Sequence, residues 1–189
     1  MINYCLMKRL STLFITLLIC AAAIGAEPVK IERLNYYLNA ANRTAMVAYS
    51  PDAYGSITIP STVEHNGVTY RVTEIEETAF AKCLDLLAVV IPPSITVISD
   101  YAFVECKNLR SVTIPNTVTK IGSWAFNFCL SLTSVTIPKN VTIIKEGAFS
   151  GCINLNFIAI PHTAAIESDA FWGCENLQVS FYDYEYDTE

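Results

Sequence analysis

Histidine is scarce in this chain, with only His65 and His162 among 189 residues. A hydrolytic triad needs a histidine that reaches both a nucleophile and a carboxylate. His65 falls beside an expected hairpin tip, and His162 follows the Ile160-Pro161 corner. Both read as solvated loop residues rather than bases. Glycine is sparse as well, seven in all, and no Gly-rich loop could cradle a phosphate. The nearest run, Phe149-Ser150-Gly151-Cys152, belongs to a repeat. No two cysteines stand close enough for a zinc pattern. Basic charge is in short supply too: 12 Lys and Arg against 18 Asp and Glu give a net charge of −6. An acidic domain repels phosphate backbones, which argues against nucleic acid as a partner. These shortages leave no catalytic constellation, and no cofactor or metal is expected.

Long apolar runs are missing except for one. Lys8 and Arg9 precede Leu10 to Ile24, which is broken only by Ser11, Thr12 and Thr16. Ile24-Gly25-Ala26 closes the run before Glu27-Pro28. This reads as a secretory signal peptide over residues 1–26, too short and wrongly flanked for a retained membrane span. Acylation at Cys20 is the rival reading, disfavoured by the bulky Ile19 before it. Without Lys8 and Arg9, 10 basic residues face 18 acidic ones, a net charge of −8.

A phrase recurs through the remainder: Leu-x-x-Val-x-Ile-Pro, then Val-x-x-Ile, then Ala-Phe-x-x-Cys. Its phenylalanines are Phe80, Phe103, Phe126, Phe149 and Phe171, at steps of 23, 23, 23 and 22. Cys83, Cys106, Cys129, Cys152 and Cys174 follow three behind. Self-similarity at this period marks a solenoid, whose coils bury their apolar faces on one another. Five cysteines cannot all pair within one chain, and their even spacing reads as an inert interior ladder.

One coil runs from Leu109 to Leu132. Val112 and Ile114 point inward from a short strand, and Ser111 and Thr113 point outward. Pro115 lacks an N–H and ends the pairing. Val118 and Ile121 return the chain along the other side. Ala125 permits close approach, Phe126 fills the coil, and Cys129 buries itself at the turn back. Stacking then places Phe103, Phe126 and Phe149 in an aromatic spine. Ile91, Ile114, Ile137 and Ile160 form a parallel aliphatic ladder. The short strands are expected to make one sheet, buried on one face.

The ends depart from the phrase. Leu34, Tyr36 and Leu38 alternate, as do Ala45, Val47 and Tyr49, which predicts a β-hairpin cap within residues 27–56. The repeat domain is expected over 57–182, as about five coils. Its first coil is enlarged, with Asn66-Gly67 between Val63 and Val68-Thr69-Tyr70 signalling a second hairpin. Leu177 is followed by Ser180 and Tyr182 where Val and Ile-Pro belong, so the last strand reads as degenerate. Over 183–189, Asp183, Glu185, Asp187 and Glu189 alternate with Tyr184 and Tyr186. That tail lacks the glycine of a calcium loop and reads as a solvated edge cover.

From Ile57 to Leu177 the phrase resembles the BspA-like leucine-rich repeats. The entry segment Gly55-Ser56-Ile57-Thr58-Ile59-Pro60 with Asn66-Gly67-Val68-Thr69-Tyr70 is similar to that of secreted members. The resemblance implies a right-handed curved leucine-rich repeat solenoid. It also implies a short parallel β-sheet on the concave side and irregular or short helical turns on the convex side. Relatives are linked to adhesion, so the resemblance implies a secreted or cell-surface protein that binds a host or bacterial surface protein. No residue set for that binding belongs to the motif.

Two surfaces are candidates. The outward sheet positions are Ser56 and Thr58, Ala88 and Val90, Ser111 and Thr113, Ser134 and Thr136, then Phe157 and Ala159. Small and hydroxylated, this face suits an extended polypeptide or a glycan stacked on Phe157. It also reads simply as good strand residues with hydroxyls toward water. The residue before Ala-Phe is Thr78, Tyr101, Trp124, Gly147 and Asp169 in turn. Tyr101, Trp124 and Phe128 make an apolar patch if exposed, or pack into the convex turns if not. The expected function is a non-catalytic binding module. The rivals are glycan capture and a structural unit that assembles with itself or with a companion.

Overall fold

The computed structural model describes residues 27–183. The expected signal peptide with Cys20, and residues 184–189 of the acidic tail, lie outside the described residues.

The chain begins with β1 (Val29–Ile31), β2 (Leu34–Asn39) and β3 (Thr44–Val47), paired antiparallel in sequence order. Leu34, Tyr36, Ala45 and Val47 face the core, as their alternation requires. Next comes β4 (Gly55–Thr58), then the hairpin of β5 (Thr62–His65) and β6 (Val68–Ile75). Asn66 and Gly67 turn that hairpin with φ of 51° and 75°. Two positive φ values define the type I′ turn that matches strand twist. β3 pairs parallel to β6, so the cap is not a lid laid over the first coil. It is continuous with that coil in one sheet of order β1-β2-β3-β6-β5. A β-carbon at Gly67 would meet nothing within 4 Å, so only its backbone angle resists substitution. Gly67→Ala is expected to lower stability by about 1–2 kcal/mol, read by urea unfolding.

Each later coil contributes two strands. The longer are β7 (Leu86–Val90), β9 (Ser111–Thr113), β11 (Ser134–Thr136), β13 (Phe157–Pro161) and β15 (Gln178–Tyr182). The shorter, of two residues each, are β8 (Val97–Ile98), β10 (Lys120–Ile121), β12 (Ile143–Ile144) and β14 (Ala165–Ile166). The short strands form one parallel ladder, β8-β10-β12-β14, along the return side. The phrase Val-x-x-Ile thus makes a second sheet where the sequence showed only a returning chain. The expected single main sheet is divided: β4-β7-β9 and β11-β13-β15 are separate three-stranded sheets. The break coincides with a strand whose inward residue is less covered. Val112 is half-buried, whereas Val89, Val135 and Ile158 are at most 3% exposed. β9 lies beside β11 without pairing to it. The strand expected to degenerate is complete, since β15 pairs with β13 over five residues. Tyr182 also donates its hydroxyl to the carbonyl of Ile137.

No helix occurs among the described residues, which corrects the expected helical turns. The Ala-Phe-x-x-Cys segment forms isolated turns, in which each Cys amide donates to the Phe carbonyl three residues before it at 3.1–3.2 Å, and it also bonds between coils. The amides of Phe80, Phe103, Phe126 and Phe149 donate to Ala102, Ala125, Ala148 and Ala170 of the next coil, at 2.7–2.8 Å. Two positive-φ residues per coil also break any helical path.

The aromatic spine runs unbroken. Phe80, Phe103, Phe126, Phe149 and Phe171 stack with successive centroids 5.0, 5.2, 5.2 and 5.7 Å apart and planes within 12°. Those separations lie within the offset-stacking range. The first four rings are fully buried, and Phe171 at the end is half-buried. Ile91, Ile114, Ile137 and Ile160 form the second column, all buried.

The cysteine ladder is interior but not featureless. Cys106, Cys129, Cys152 and Cys174 aim their thiols at the carbonyls of Phe80, Phe103, Phe126 and Phe149 in the preceding coil, at 2.9–3.3 Å. Cys83, in the first such position, donates to Ser50 of the cap. A small side chain with a weak donor suits this site, where each Phe carbonyl needs a second partner. All five are free thiols. Burial pushes the thiols of Cys129 and Cys152 well above the ordinary cysteine range. A thiol reagent applied to the folded chain should therefore reach Cys174 and spare Cys83, Cys106, Cys129 and Cys152, as peptide mapping would show. Modification of Cys129 before unfolding would contradict this packing.

Candidate functional site

Every coil turns through two left-handed residues, the one before Ala-Phe and the one two after Phe. They are Thr78 and Lys82, Tyr101 and Glu105, Trp124 and Phe128, Gly147 and Gly151, then Asp169 and Gly173, with φ from 55° to 76°. Tyrosine, tryptophan and phenylalanine are uncommon in this region, at a cost of about 1–2 kcal/mol each. The structure shows what holds two of them there. A β-carbon built on Gly147 would fall 2.5 Å from Cε3 of Trp124. One built on Gly151 would fall 2.6 Å from Cδ1 of Phe128. Both rings therefore lie over bare glycine backbone of the following coil, filling the space that two side chains would take.

Beside the seated Trp124 ring lies a cleft on the turn side. It measures about 130 Å³ and is lined by Trp124, Ser150, Asp169 and Trp172. Trp124 forms one wall. Asp169 and Trp172, which follow Gly147 and Ser150 by one coil, form the other. Ser150 is the floor, 1% exposed and fixed through its carbonyl, which accepts from the amide of Phe128 and from Nδ2 of Asn127, both at 2.8 Å. Trp172 is 65% exposed and Phe128 43%. No hydrogen bond or ion pair engages the Asp169 carboxylate among the described residues.

Of the residues chosen from sequence, Trp124 and Phe128 come together over the glycine pair. Tyr101 is half-buried in the same column, one coil earlier. The two readings for this patch each hold in part: the rings pack against the turns and still present an edge to water. Ser111 and Thr113 are apart from them on β9, both outward. Ser134 and Thr136 are outward on β11, and Ser134 sits opposite Phe157 of β13 in register. Phe157 is 43% exposed beside that hydroxyl. The β9–β11 break thus divides the hydroxylated face. Trp172, which the sequence places two coils along from Trp124, completes the cleft, and so does Asp169, which the sequence offered only as a member of the column. The signal was available: two glycines at equivalent positions of one coil, with an acid above one of them.

A second hollow, about 230 Å³, lies where the cap meets β4 and includes Glu32, Arg33 and Ser56. Arg33 there caps the ring of Tyr54 at 5.0 Å, which occupies its charge. No group of three or more His, Cys, Asp or Glu able to hold a metal occurs among the described residues.

Stacked phenylalanines, a thiol per coil and parallel strands with this phrase match a known repeat model. The BspA type leucine-rich repeat region matches residues 73–183 in six copies. The chain belongs to this family. A search of curated proteins gives no match. Solved structures are similar to this BspA-type chain over most of its length. A leucine-rich repeat protein of T. pallidum is 25% identical, with a TM-score of 0.70 over 81% of this chain and 71% of its own. A leucine-rich cell surface protein from Faecalibacterium prausnitzii is 27% identical, with a TM-score of 0.56 over 85% of this chain and 56% of its own. A leucine-rich repeat protein from Bacteroides capillosus, 23% identical with a TM-score of 0.60, is covered over 99% of its length and shows the fold alone. This chain therefore spans little more than half of the F. prausnitzii protein.

Proposed function

We propose that this BspA-type chain is a non-catalytic binding module, secreted or held at the cell surface, which recognises a protein through the turn side of its solenoid. One observation carries the reading. The repeat's Phe, Ile and Leu side chains fill the buried columns, whereas Trp172, the most exposed of the large apolar residues at 65%, and Phe128 at 43% stay open to water near Trp124. Exposed aromatic clusters of this kind mark interaction sites, and tryptophan is enriched among residues that dominate binding energy. Repeat stacking supplies broad surfaces rather than deep pockets. The description of the F. prausnitzii relative as a cell surface protein supports the location.

The test is a solid-phase screen of the chain from Glu27 onward against host matrix proteins and bacterial surface proteins. Saturable binding that drops at least tenfold in Trp172→Ala is expected. No saturable binding to any of them, or binding indifferent to both Trp172→Ala and Trp124→Ala, counts against the reading.

A glycan-binding reading rests on Phe157, exposed on β13 opposite Ser134. Protein recognition predicts a blank glycan array, whereas glycan capture predicts hits lost in Phe157→Ala. A third reading, an assembly unit that binds its own copies, predicts a mass that rises with concentration in light scattering.

A further inference from the structure

We propose that the Trp124–Trp172 cleft is a receptor for one basic side chain, lysine or arginine, projecting from the protein partner. The inference rests on the protein-binding reading and gives it a chemistry. Four features of the cleft point the same way. Its volume, about 130 Å³, suits a single side chain and falls below the ~300–1,000 Å³ of small-molecule sites. Two indole rings line it, and tryptophan is the aromatic whose face attracts cations most strongly. Asp169 places a carboxylate in the same wall, unclaimed by any cation among the described residues. No basic residue lines the cleft.

These features divide the work along a long basic side chain. The aliphatic stem lies against the indoles, where its methylenes leave water. The ammonium or guanidinium reaches the carboxylate of Asp169 in a charge-assisted hydrogen bond. A purely apolar side chain would gain the first contact and forgo the second. An acidic one would meet both the ring quadrupoles and Asp169 with the wrong sign.

The other carboxylates near the ends of the columns are engaged differently. Glu105 lies 3.6 Å from Lys82 and 3.9 Å from Lys107. Glu167 is bonded to Lys145 and to the amide of Glu146, and the Lys145 partnership holds its carboxyl below the usual range. Asp169, by contrast, has no ion-pair partner among the described residues, and it is the acid that lines the cleft with the two indoles. Its left-handed backbone, φ 57°, is one that aspartate and asparagine tolerate better than most residues.

The chain has only two tryptophans, and both line this cleft. Intrinsic fluorescence therefore reports on the site directly. The probes are N-acetyl-lysine methylamide, N-acetyl-arginine methylamide and the neutral N-acetyl-norleucine methylamide, titrated into the folded chain. A saturable change with the two cationic probes is expected, at least fivefold tighter than with norleucine. Asp169→Asn keeps the backbone preference and the shape, so it should fold. It should lose about tenfold in affinity for the cationic probes and little for norleucine. Equal binding of norleucine and lysine overturns the proposal, and so does an unchanged affinity in Asp169→Asn or an emission that no cationic probe alters. The two levels of reading separate cleanly. If a protein partner is captured while the cationic probes leave the emission unchanged, the protein-binding reading stands and the basic-residue site is lost. If the cationic probes bind and no partner is captured, the site stands and the wider reading fails.

Discussion

Phe126→Ala should lower stability by about 3–5 kcal/mol, the range for deleting a buried phenylalanine from a core that cannot close around the void. Phe126 is fully buried and stacked at 5.2 Å on both Phe103 and Phe149. Its neighbours are themselves locked in the column, so neither can move to fill the gap. Coils of a solenoid hold one another mainly through nearest-neighbour interfaces. Losing the middle ring therefore weakens two interfaces at once. For a chain of this size the change corresponds to a fall of roughly 10 °C or more in Tm. Phe171→Ala is the comparison. That ring is half-buried and stacks on Phe149 alone, with centroids 5.7 Å apart, so the loss should be about half as large. Urea unfolding of both variants checks the gradient. Equal losses would mean that the rings do not act as one column.

Gly147→Ala should lower stability by about 2–5 kcal/mol, although it adds only one methyl group. Two effects combine. The left-handed angle, φ 61°, costs an alanine about 1–2 kcal/mol. The new carbon would also sit 2.5–2.6 Å from three atoms of the Trp124 ring, and overpacking of this kind costs about 1–3 kcal/mol. Gly67→Ala carries the same backbone penalty in open space. The difference between the two variants isolates the seat of Trp124. The ring must swing away to make room, so tryptophan emission should shift toward that of an exposed indole. Gly147→Ala should also abolish binding of the lysine probe. A loss equal to that of Gly67→Ala with unchanged emission would place Trp124 elsewhere.

The columns were legible in the sequence because stacking repeats a single environment. Phe, Ile, Ala and Cys recur at fixed steps, and each fills the same space in every coil. Asn66-Gly67 was equally legible, since a two-residue hairpin turn demands positive φ. Other features were hidden for specific reasons. The inter-coil bonds from Phe amides to Ala carbonyls are backbone properties and leave no residue signature, so helical turns seemed as natural as the isolated turns found. The break between β9 and β11 leaves no mark in the sequence, because Ser111-Val112-Thr113 and Ser134-Val135-Thr136 share one pattern. The cleft lay between these extremes. Trp124 and Phe128 stood out by size, but what seats them is the pair of glycines one coil later. Reading each position down its column, instead of each coil along its length, brings Gly147 and Asp169 into line above Trp124.

The equivalence of the coils can be tested by removing one. Excising residues 81–103, 23 residues, joins Phe80 to Val104 and puts Cys106 where Cys83 had faced Ser50 of the cap. The shortened chain should fold and unfold in a single cooperative urea transition, with reduced m-value, and keep its tryptophan emission. Excision of residues 81–92 alone, which shifts every later coil out of register, should leave the chain unfolded. If the 23-residue excision abolished folding as completely as the half-coil excision, interchangeable stacked coils could not be what holds this protein together.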